Sequence, residues 1–289
     1  MSEKVSLTLE RFVAELRDLE EKQVFTPNEI SEMVQSRTAH ETLIIRSACT
    51  PQNFIDYVNY EVRLEKLRKI RSSKLQIKPG SSISTYSIPR HVTHILTIAT
   101  RRFPTSNMLW SKYIDHIRSL KAPRQLSKVL VQAISAQPNT AKYWLLAIRH
   151  EKSEGDVAVA RKLLMRAVRF LKKDFSIWEE WIDFEVAFAE ETRVRLGHEP
   201  PSSHKGKGKE IDGEELPLSD GEALQEMQEE VQQVEKVGGE RAVTEGAIVK
   251  IVINHALDSL LAHLLQGCKL NFFRLQRSAQ TKICHIMSR

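Results

Sequence analysis

Cysteine is scarce in this chain, and several common functional patterns are missing from it. The three cysteines among the 289 residues, Cys49, Cys268 and Cys284, are far apart or lack partners at ligand spacing. This excludes a disulfide framework and a zinc site of the usual kind. A Gly-rich phosphate loop, a nucleophile elbow and a kinase signature are also missing. The sequence therefore predicts a protein that is not an enzyme and that uses no cofactor, metal or small-molecule substrate.

Long apolar runs are missing too. No stretch approaches the roughly 20 apolar residues that a membrane helix needs, and charges are spread through the first twenty residues. We therefore expect no membrane span, no secretory signal and an intracellular location. His91 and His94 have a spacing seen in metal sites, but no third ligand accompanies them, and we interpret them as ordinary surface or core histidines.

Charge is unevenly distributed along the chain. The formal net charge is +6, yet the segment from Lys205 to Arg241 contains five basic and eleven acidic residues, which leaves +12 for the rest. Such a basic body is typical of proteins that work beside nucleic acid or an acidic partner.

What the sequence does contain is a repeat. Trp110, Trp144 and Trp178 are spaced 34 residues apart, and each opens an amphipathic stretch that a second one follows. A period of this length marks stacked helix pairs, because one pair cannot bury its apolar face alone. The predicted fold class is all-α, an α-solenoid of helix-turn-helix repeats with an amino-terminal helical region.

The partner helices repeat at the same offset as the tryptophans. Ala99, Ala133 and Ala167 superpose at this offset, and Phe54 opens an earlier unit. An identical place in every unit favours packing between helices over stacking on RNA bases. The predicted repeat-packing residues are Phe54, Tyr57, Ala99, Trp110, Tyr113, Ala133, Trp144, Ala167, Trp178, Trp181 and Ala256.

Start signals organise the amino-terminal part. The stretch from Glu3 to Val24 has a 3.6-residue apolar period and predicts one amphipathic helix. Thr26, Pro27 and Glu29 form the pattern of a capping box and predict a second helix from there to about Ile45.

A third helix and a loop follow. Thr50-Pro51 repeats the start signal, and the predicted helix ends near Arg71. The serine-rich stretch from Ser72 to Ser87 predicts a loop, after which helical periodicity resumes at His91.

Composition and period divide the chain into five parts. These are an amino-terminal helical region (1–50), a repeat array (51–192), a disordered acidic and Lys-Gly insertion (193–246), a displaced partner helix of the fourth repeat (247–265) and an unassigned carboxyl-terminal tail (266–289). The units of the array open near Phe54, Trp110, Trp144 and Trp178. The insertion cannot bury enough apolar area to offset its ordering entropy. The tail has no repeat pattern, and we expect a truncated or mis-spliced product.

Two groups of cations are candidates for contact with RNA or a partner. At the end of the third helix, cations can follow a phosphate backbone or lie in solvent near the negative end of the helix dipole, and the sequence leaves both interpretations open. Second helices of the repeats, which usually line the concave surface of such arrays, supply the other group. The candidates are Arg63, Lys66, Arg68, Lys69, Arg71, Lys74 and Lys78 in the first group, and Arg161 and Arg166 in the second.

The repeat motifs resemble a known family. The pattern W-x-x-W/Y-I-x-F-E in first helices, with A-R-x-L-L-x-R-A-V from Ala160 to Val168, resembles the half-a-TPR (HAT) repeat, which is concentrated in RNA-processing assemblies. Leu16-Arg-Asp-Leu-Glu, Val24-Phe25-Thr-Pro-Asn-Glu-Ile30 and the block from Asn53 to Glu61 are similar to the U3 small nucleolar RNA-associated protein 6 family. The resemblance covers roughly residues 1 to 190 and resumes near 246 to 261.

The resemblance implies a non-catalytic assembly factor of the small-subunit processome, the nucleolar particle that contains U3 snoRNA and processes pre-rRNA toward 18S rRNA. The implied partners are other processome proteins, WD-repeat subunits among them, and U3 snoRNA or pre-rRNA, contacted directly or indirectly. Two alternatives stay open. A TPR-like peptide-binding adaptor would need a carboxylate clamp that the aligned positions do not supply consistently, and the amino-terminal block argues against a HAT-repeat factor of pre-mRNA splicing or 3′-end formation.

Overall fold

A computed structural model of the chain describes residues 5, 8–77, 83–198, 229–231, 233 and 247–264. Every regular element within these residues is an α-helix, so the predicted all-α fold class is confirmed. The helices are α1 (Val13–Glu21), α2 (Pro27–Ile45), α3 (Pro51–Lys74), α4 (Ile83–Arg102), α5 (Asn107–Ser119), α6 (Pro123–Ala136), α7 (Ala141–Glu154), α8 (Val157–Phe170), α9 (Phe175–His198) and α10 (Ala247–Leu264). Within the described ranges, none of them is both long and apolar enough to span a membrane.

The helices belong to two compact units, Met1–Gln137 and Pro138–Arg289. In the first unit, α4 packs against α1, α3 and α5, while α2 lies on α1 and α3, and α6 lies on α5. In the second unit, α7 pairs with α8, and α9 packs against α7, α8 and α10. Most helices therefore bury their apolar faces on their neighbours in the chain, as stacked helix pairs do.

The start of α2 agrees with its sequence. The N–H of Thr26 donates to Oε2 of Glu29 over 2.8 Å, and the N–H of Glu29 donates to Oγ1 of Thr26 over 3.3 Å. Pro27 stands at the first helical position, where a backbone N–H has no partner within the helix. The capping box and the end of the helix at Ile45 are both confirmed.

The prediction of one helix from Glu3 to Val24 is wrong. A turn at Arg11 and Phe12 separates residues 8–10 from α1. Phe12 is buried, with the guanidinium carbon of Arg37 4.4 Å from its ring centre and the ring of His91 edge-on at 4.5 Å. The turn places this ring among polar partners from α2 and α4, a tertiary demand that apolar periodicity does not encode.

The loop predicted from Ser72 to Ser87 is too long. Helix α3 continues to Lys74, and α4 already starts at Ile83, with residues 78–82 outside the described part. Ile88 and Ile77 belong to the apolar cluster of the first unit, and the N–H of Ser84 donates to Oδ2 of Asp18 over 3.2 Å. These tertiary contacts override the weak helix propensity of the serines.

In the second unit, α7 ends at Gly155, which takes the left-handed conformation with φ +84° that closes many helices. Helix α10 packs on α9 and buries Val252, Ile253 and Ala256. Its assignment as the displaced partner of the fourth repeat stays a prediction.

Two predicted parts of the chain lie largely or wholly outside the described residues. Within the predicted insertion 193–246, only 193–198, 229–231 and 233 are described, and α9 runs six residues into it, to His198. The predicted tail 266–289 is outside the description altogether.

Candidate interaction surface

The seven cations predicted at the end of the third helix separate into different environments in the structure. Arg63, Lys66, Lys69 and Lys74 are exposed on α3, whereas Arg68 is buried and Arg71 is partly buried. The seventh, Lys78, lies outside the described residues.

Arg68 is used inside the fold. Its Nε and Nη2 donate to the two carboxylate oxygens of Glu65 over 2.7 and 2.8 Å, and both side chains are largely buried. The assignment of Arg68 to an RNA or partner contact is therefore corrected, because a guanidinium that holds a carboxylate through two hydrogen bonds and is covered by protein offers little to a ligand.

Arg71 joins the end of α3 to the start of α2. Its guanidinium donates to both carboxylate oxygens of Glu29 over 2.7 and 2.8 Å and to the carbonyl of Val24 over 3.1 Å, and it lies 4.9 Å from the ring centre of Phe25. The hydrogen bond from Arg71, followed by that from the N–H of Thr26, lowers the pKa of Glu29 to about 2. Arg71 thereby reinforces the capping box of α2.

The remaining exposed residues of this helix form a mixed stripe. Arg63, Lys66, Leu67, Ile70 and Lys74 follow helical spacing and face away from the buried residues of α3; we name them the α3 surface. Leu67 is 40% exposed and Ile70 is 55% exposed, so cations flank two aliphatic side chains that water reaches.

The amino-terminal half of the same helix has a different outer face. There Gln52 donates to Oδ1 of Asp56 over 2.8 Å, and both residues are exposed. The face changes from polar and acidic to basic and apolar along one helix, so the α3 surface is a local feature and not a property of all of α3.

The second group of cations also divides. Arg166 is exposed on α8, but Arg161 is buried, with Nε and Nη2 each 2.7 Å from a carboxylate oxygen of Glu185. The ring centre of Phe188 lies 5.3 Å from the guanidinium carbon of Arg161. The assignment of Arg161 to a partner contact is corrected for the same physical reason as that of Arg68.

The first unit contains a matching buried pair that the sequence interpretation missed. Arg37 donates from Nε and Nη2 to Glu61 over 2.8 and 2.9 Å, and from Nη2 to Glu15 over 3.0 Å, with all three side chains buried. Arg37 precedes Glu61 by 24 residues, and Arg161 precedes Glu185 by the same number. Both glutamates end the first-helix motif, and an arginine 24 residues earlier is the signal that could have identified the pairs.

A buried polar cluster lies next to Arg37. The hydroxyl of Tyr57 donates to Oε1 of Glu41 over 3.0 Å and lies 2.9 Å from Nε2 of His91. Burial, the largest cause, and the nearby Arg37 lower the pKa of His91 to about 3. Burial also raises the pKa of Glu41 and that of Tyr57. His91 is neutral here, and its Nε2–H can donate to the phenol oxygen while the phenol donates to Glu41.

The repeat-packing residues are all buried, and none of the eleven is more than 4% exposed. The indole N–H groups of Trp110, Trp144 and Trp178 donate to the carbonyls of Pro104, Pro138 and Lys172 over 2.8, 2.8 and 3.1 Å. Each carbonyl lies six residues before its tryptophan. The indoles are therefore used within the protein, and their role in packing between repeats stays a prediction.

Comparison with protein families divides the matched part of the chain in two. Residues 9–91 match the model of U3 small nucleolar RNA-associated protein 6, and residues 92–196 match that of the PRP39 N-terminal HAT repeat. The second match confirms the HAT type of the helical repeats. The first match contains α3 and its surface.

Curated relatives carry the name of the first model. U3 small nucleolar RNA-associated protein 6 of Schizosaccharomyces pombe is 34% identical over 189 residues, which cover 65% of this chain and 39% of the relative. The homologue of Mus musculus is 25% identical over 194 residues, covering 67% of this chain and 32% of the relative, and that of Dictyostelium discoideum is 24% identical over 188 residues, covering 64% and 30%. The chain spans less than half the length of the curated relatives it matches.

Proposed function

Because the chain belongs to the U3 small nucleolar RNA-associated protein 6 family, we propose that it is a non-catalytic scaffold of the U3 snoRNP small-subunit processome. In this role it supports pre-rRNA processing to 18S rRNA and the biogenesis of the small ribosomal subunit, in the nucleolus. The observation that carries the proposal is the match of residues 9–91 to the family model, followed directly by HAT repeats to residue 196.

The use of polar side chains in the described residues supports a scaffold over an enzyme. His91 and Tyr57 bind each other in a buried cluster, and Arg37 and Arg161 bind carboxylates of neighbouring helices. These side chains are thus committed to holding helices together and are buried away from water. What remains for function is the outer surface of the helices.

Partners of the scaffold are other processome proteins, WD-repeat subunits among them, and U3 snoRNA or pre-rRNA, reached directly or through those proteins. The cations available for such contacts are those left exposed by the fold, namely Arg63, Lys66, Lys69, Lys74 and Arg166. Neither a cofactor nor a small-molecule substrate enters this proposal.

Affinity purification of the tagged chain, followed by sequencing of the bound RNA, tests the proposal. We expect U3 snoRNA to be enriched over a purification from untagged cells, together with WD-repeat proteins identified by mass spectrometry. Recovery of spliceosomal RNAs in place of U3 snoRNA would assign the chain to a splicing assembly instead.

Depletion of the protein gives a second readout. We expect 18S rRNA to fall while rRNA of the large subunit stays largely unchanged, because only the small-subunit branch of processing needs the scaffold. Normal 18S rRNA after depletion would contradict the proposed role. In a separate test, fluorescence of the labelled chain outside the nucleolus would contradict the proposed location.

A further inference from the structure

We propose that the α3 surface is a docking site for an acidic amphipathic helix of a partner protein. The inference rests on the proposed function, since a scaffold must hold partners, and it names the chemistry of one of them. Arg63, Lys66, Leu67, Ile70 and Lys74 supply the site.

The residues are placed to meet a rod-shaped partner. They fall at helical spacing on one side of α3, and the eleven residue steps from Arg63 to Lys74 extend over roughly 17 Å. The opposite side of the same turns is buried, with Glu61, Leu64 and Glu65 packed inside the unit. The fold therefore holds the exposed side in a fixed geometry, on a helix and not on a loop.

Within the described residues, the cations of this surface have no ion-pair partner, since no carboxylate lies within ion-pair distance of Arg63, Lys66 or Lys74. By contrast, the neighbouring Arg68 and Arg71 each hold a carboxylate. The charge that remains on the surface calls for an acidic partner.

The two aliphatic side chains favour a protein partner over single-stranded RNA. Nucleic-acid surfaces that hold single strands place aromatic rings under the bases, because rings stack on them. Leu67 and Ile70 cannot stack in this way, but they suit the apolar stripe of an amphipathic helix. Cations on both sides of an aliphatic pair match a helix with leucine-like residues on one face and glutamate or aspartate at its margins.

A photo-crosslinker at the centre of the surface tests the proposal in the assembled particle. Ile70 is replaced by p-benzoylphenylalanine in the tagged full chain, and Val131 on α6 serves as the matched control, since the two positions are 55% and 54% exposed. After irradiation in cells, the adduct is purified and the crosslinked peptide is sequenced. We expect an adduct at position 70 whose peptide comes from another protein and combines acidic residues with a helical apolar period, and none at position 131.

Charge reversal tests the proposal through the yield of the adduct. Lys66→Glu with Lys74→Glu should lower the yield of the position-70 adduct at least about fivefold, because attraction becomes repulsion. Arg124→Glu with Lys128→Glu, which reverses two exposed cations of α6, should leave the yield unchanged. Equal yields in both double variants would overturn the proposal.

Other outcomes at position 70 are equally decisive. An adduct that contains RNA would assign the surface to nucleic acid, and a crosslink to the segment between Lys205 and Arg241 of the same chain would show that the acidic occupant is internal. Absence of an adduct while U3 snoRNA copurifies would overturn the docking site and leave the proposed function standing. A peptide of the expected kind in a preparation without U3 snoRNA would support the docking site and contradict the proposed function.

Discussion

A buried arginine–glutamate pair occurs in each of the two units, at the same place in the repeat. Arg37 and Glu61 form it in the first unit, and Arg161 and Glu185 form it in the second, each with a separation of 24 residues along the chain. The glutamate ends the first helix motif of its repeat, and the arginine comes from the helix before it. The pair thus recurs at the same place in two of the four predicted repeat units, those that open at Phe54 and Trp178.

The surroundings of the two pairs differ. Arg37 also binds Glu15 and lies against the ring of Phe12, both from the amino-terminal region before the repeats. The ring beside Arg161 comes from Phe188, on the same helix as its glutamate. The comparison shows that the amino-terminal region, which supplies Arg37 itself, adds a second carboxylate and an aromatic ring to the pair that this arginine forms with Glu61 of the first repeat.

A second difference lies one turn earlier in the motif. Trp181 donates its indole N–H to Oε1 of Glu185 over 3.2 Å. At the matching position, Tyr57 instead binds Glu41 and His91. Among the described residues, the polar cluster of the first unit therefore joins the four helices α1 to α4.

Removing the arginine of the first unit should have the largest effect. Arg37→Met leaves Glu15 and Glu61 buried without their cation, and we expect a loss of about 3–5 kcal/mol in the free energy of unfolding. Urea unfolding of the full chain, followed by circular dichroism, measures the loss. Lys128→Met, at an exposed position, is the control and should change stability by less than about 0.5 kcal/mol. A loss below about 0.5 kcal/mol for Arg37→Met would show that the ion pairs of Arg37 contribute nothing to stability.

The same change in the second unit should cost less. Arg161→Met leaves one buried carboxylate in place of two, and we expect a loss of about 3 kcal/mol by the same measurement. Adding Glu185→Leu should restore part of it, because an apolar pair of similar volume needs no cation, although the indole N–H of Trp181 then loses its acceptor. The equivalent repair in the first unit, Glu61→Leu on Arg37→Met, should restore less, since Glu15 remains buried. Equal repair in both units would remove the distinction drawn between them.

Loss of one hydroxyl should have an intermediate effect. Tyr57→Phe leaves Glu41 and His91 buried without this partner, and we expect a loss of about 1–3 kcal/mol in unfolding free energy. Tyr86→Phe, at an exposed tyrosine, should stay within about 0.5 kcal/mol of the parent chain. If both variants unfold at the same urea concentration, the hydroxyl of Tyr57 has no structural role.

The pH dependence of stability should be the smallest effect near pH 6 and should grow as the pH falls. The pKa of His91 is about 3 in the folded chain against an ordinary 6.5, so the unfolded state binds the extra proton between these values. The contribution of neutral His91 to the free energy of unfolding is complete above pH 6.5 and is lost as pH falls toward 3. The slope of the free energy against pH approaches about 1.4 kcal/mol per pH unit.

The histidine is identified by comparing variants. His91→Gln, which can still donate to Tyr57, should flatten the slope of unfolding free energy between pH 6 and about 5, whereas His94→Gln, at an exposed position on the same helix, should not. An unchanged slope in His91→Gln would mean that other groups cause the acid sensitivity.

Local signals explain what the sequence could predict. The capping box of α2 needs only Thr26 and Glu29 three residues apart, and the tryptophan period needs only self-similarity along the chain. Both features are complete within a short stretch or a fixed offset, so no knowledge of tertiary contacts was required to find them.

Features that depend on distant partners were missed. Arg161 has the pattern of a surface cation, because its carboxylate partner, Glu185, lies on the next helix. Arg68 has Glu65 in its own helix, and only the burial of this pair depends on the fold. The early start of α4 was hidden by serines, whose low helix propensity is overcome by contacts with α1 and the apolar cluster. The α3 surface could not be predicted either, because only the structure separates the exposed cations of this basic stretch from the buried ones.

The indole hydrogen bonds have a consequence for how the chain can be lengthened. Each bond closes a ring of fixed size at the junction between one helix pair and the next, and the step from alanine to the following tryptophan is eleven residues at all three junctions. The long steps in the alignment are Phe54 to Ala99, which falls inside a pair, and Trp178 to Ala256, which falls inside the predicted fourth pair. A reporter domain should therefore be inserted between the two helices of a pair. One extra residue between Pro138 and Trp144 would change the size of the ring that the indole hydrogen bond closes.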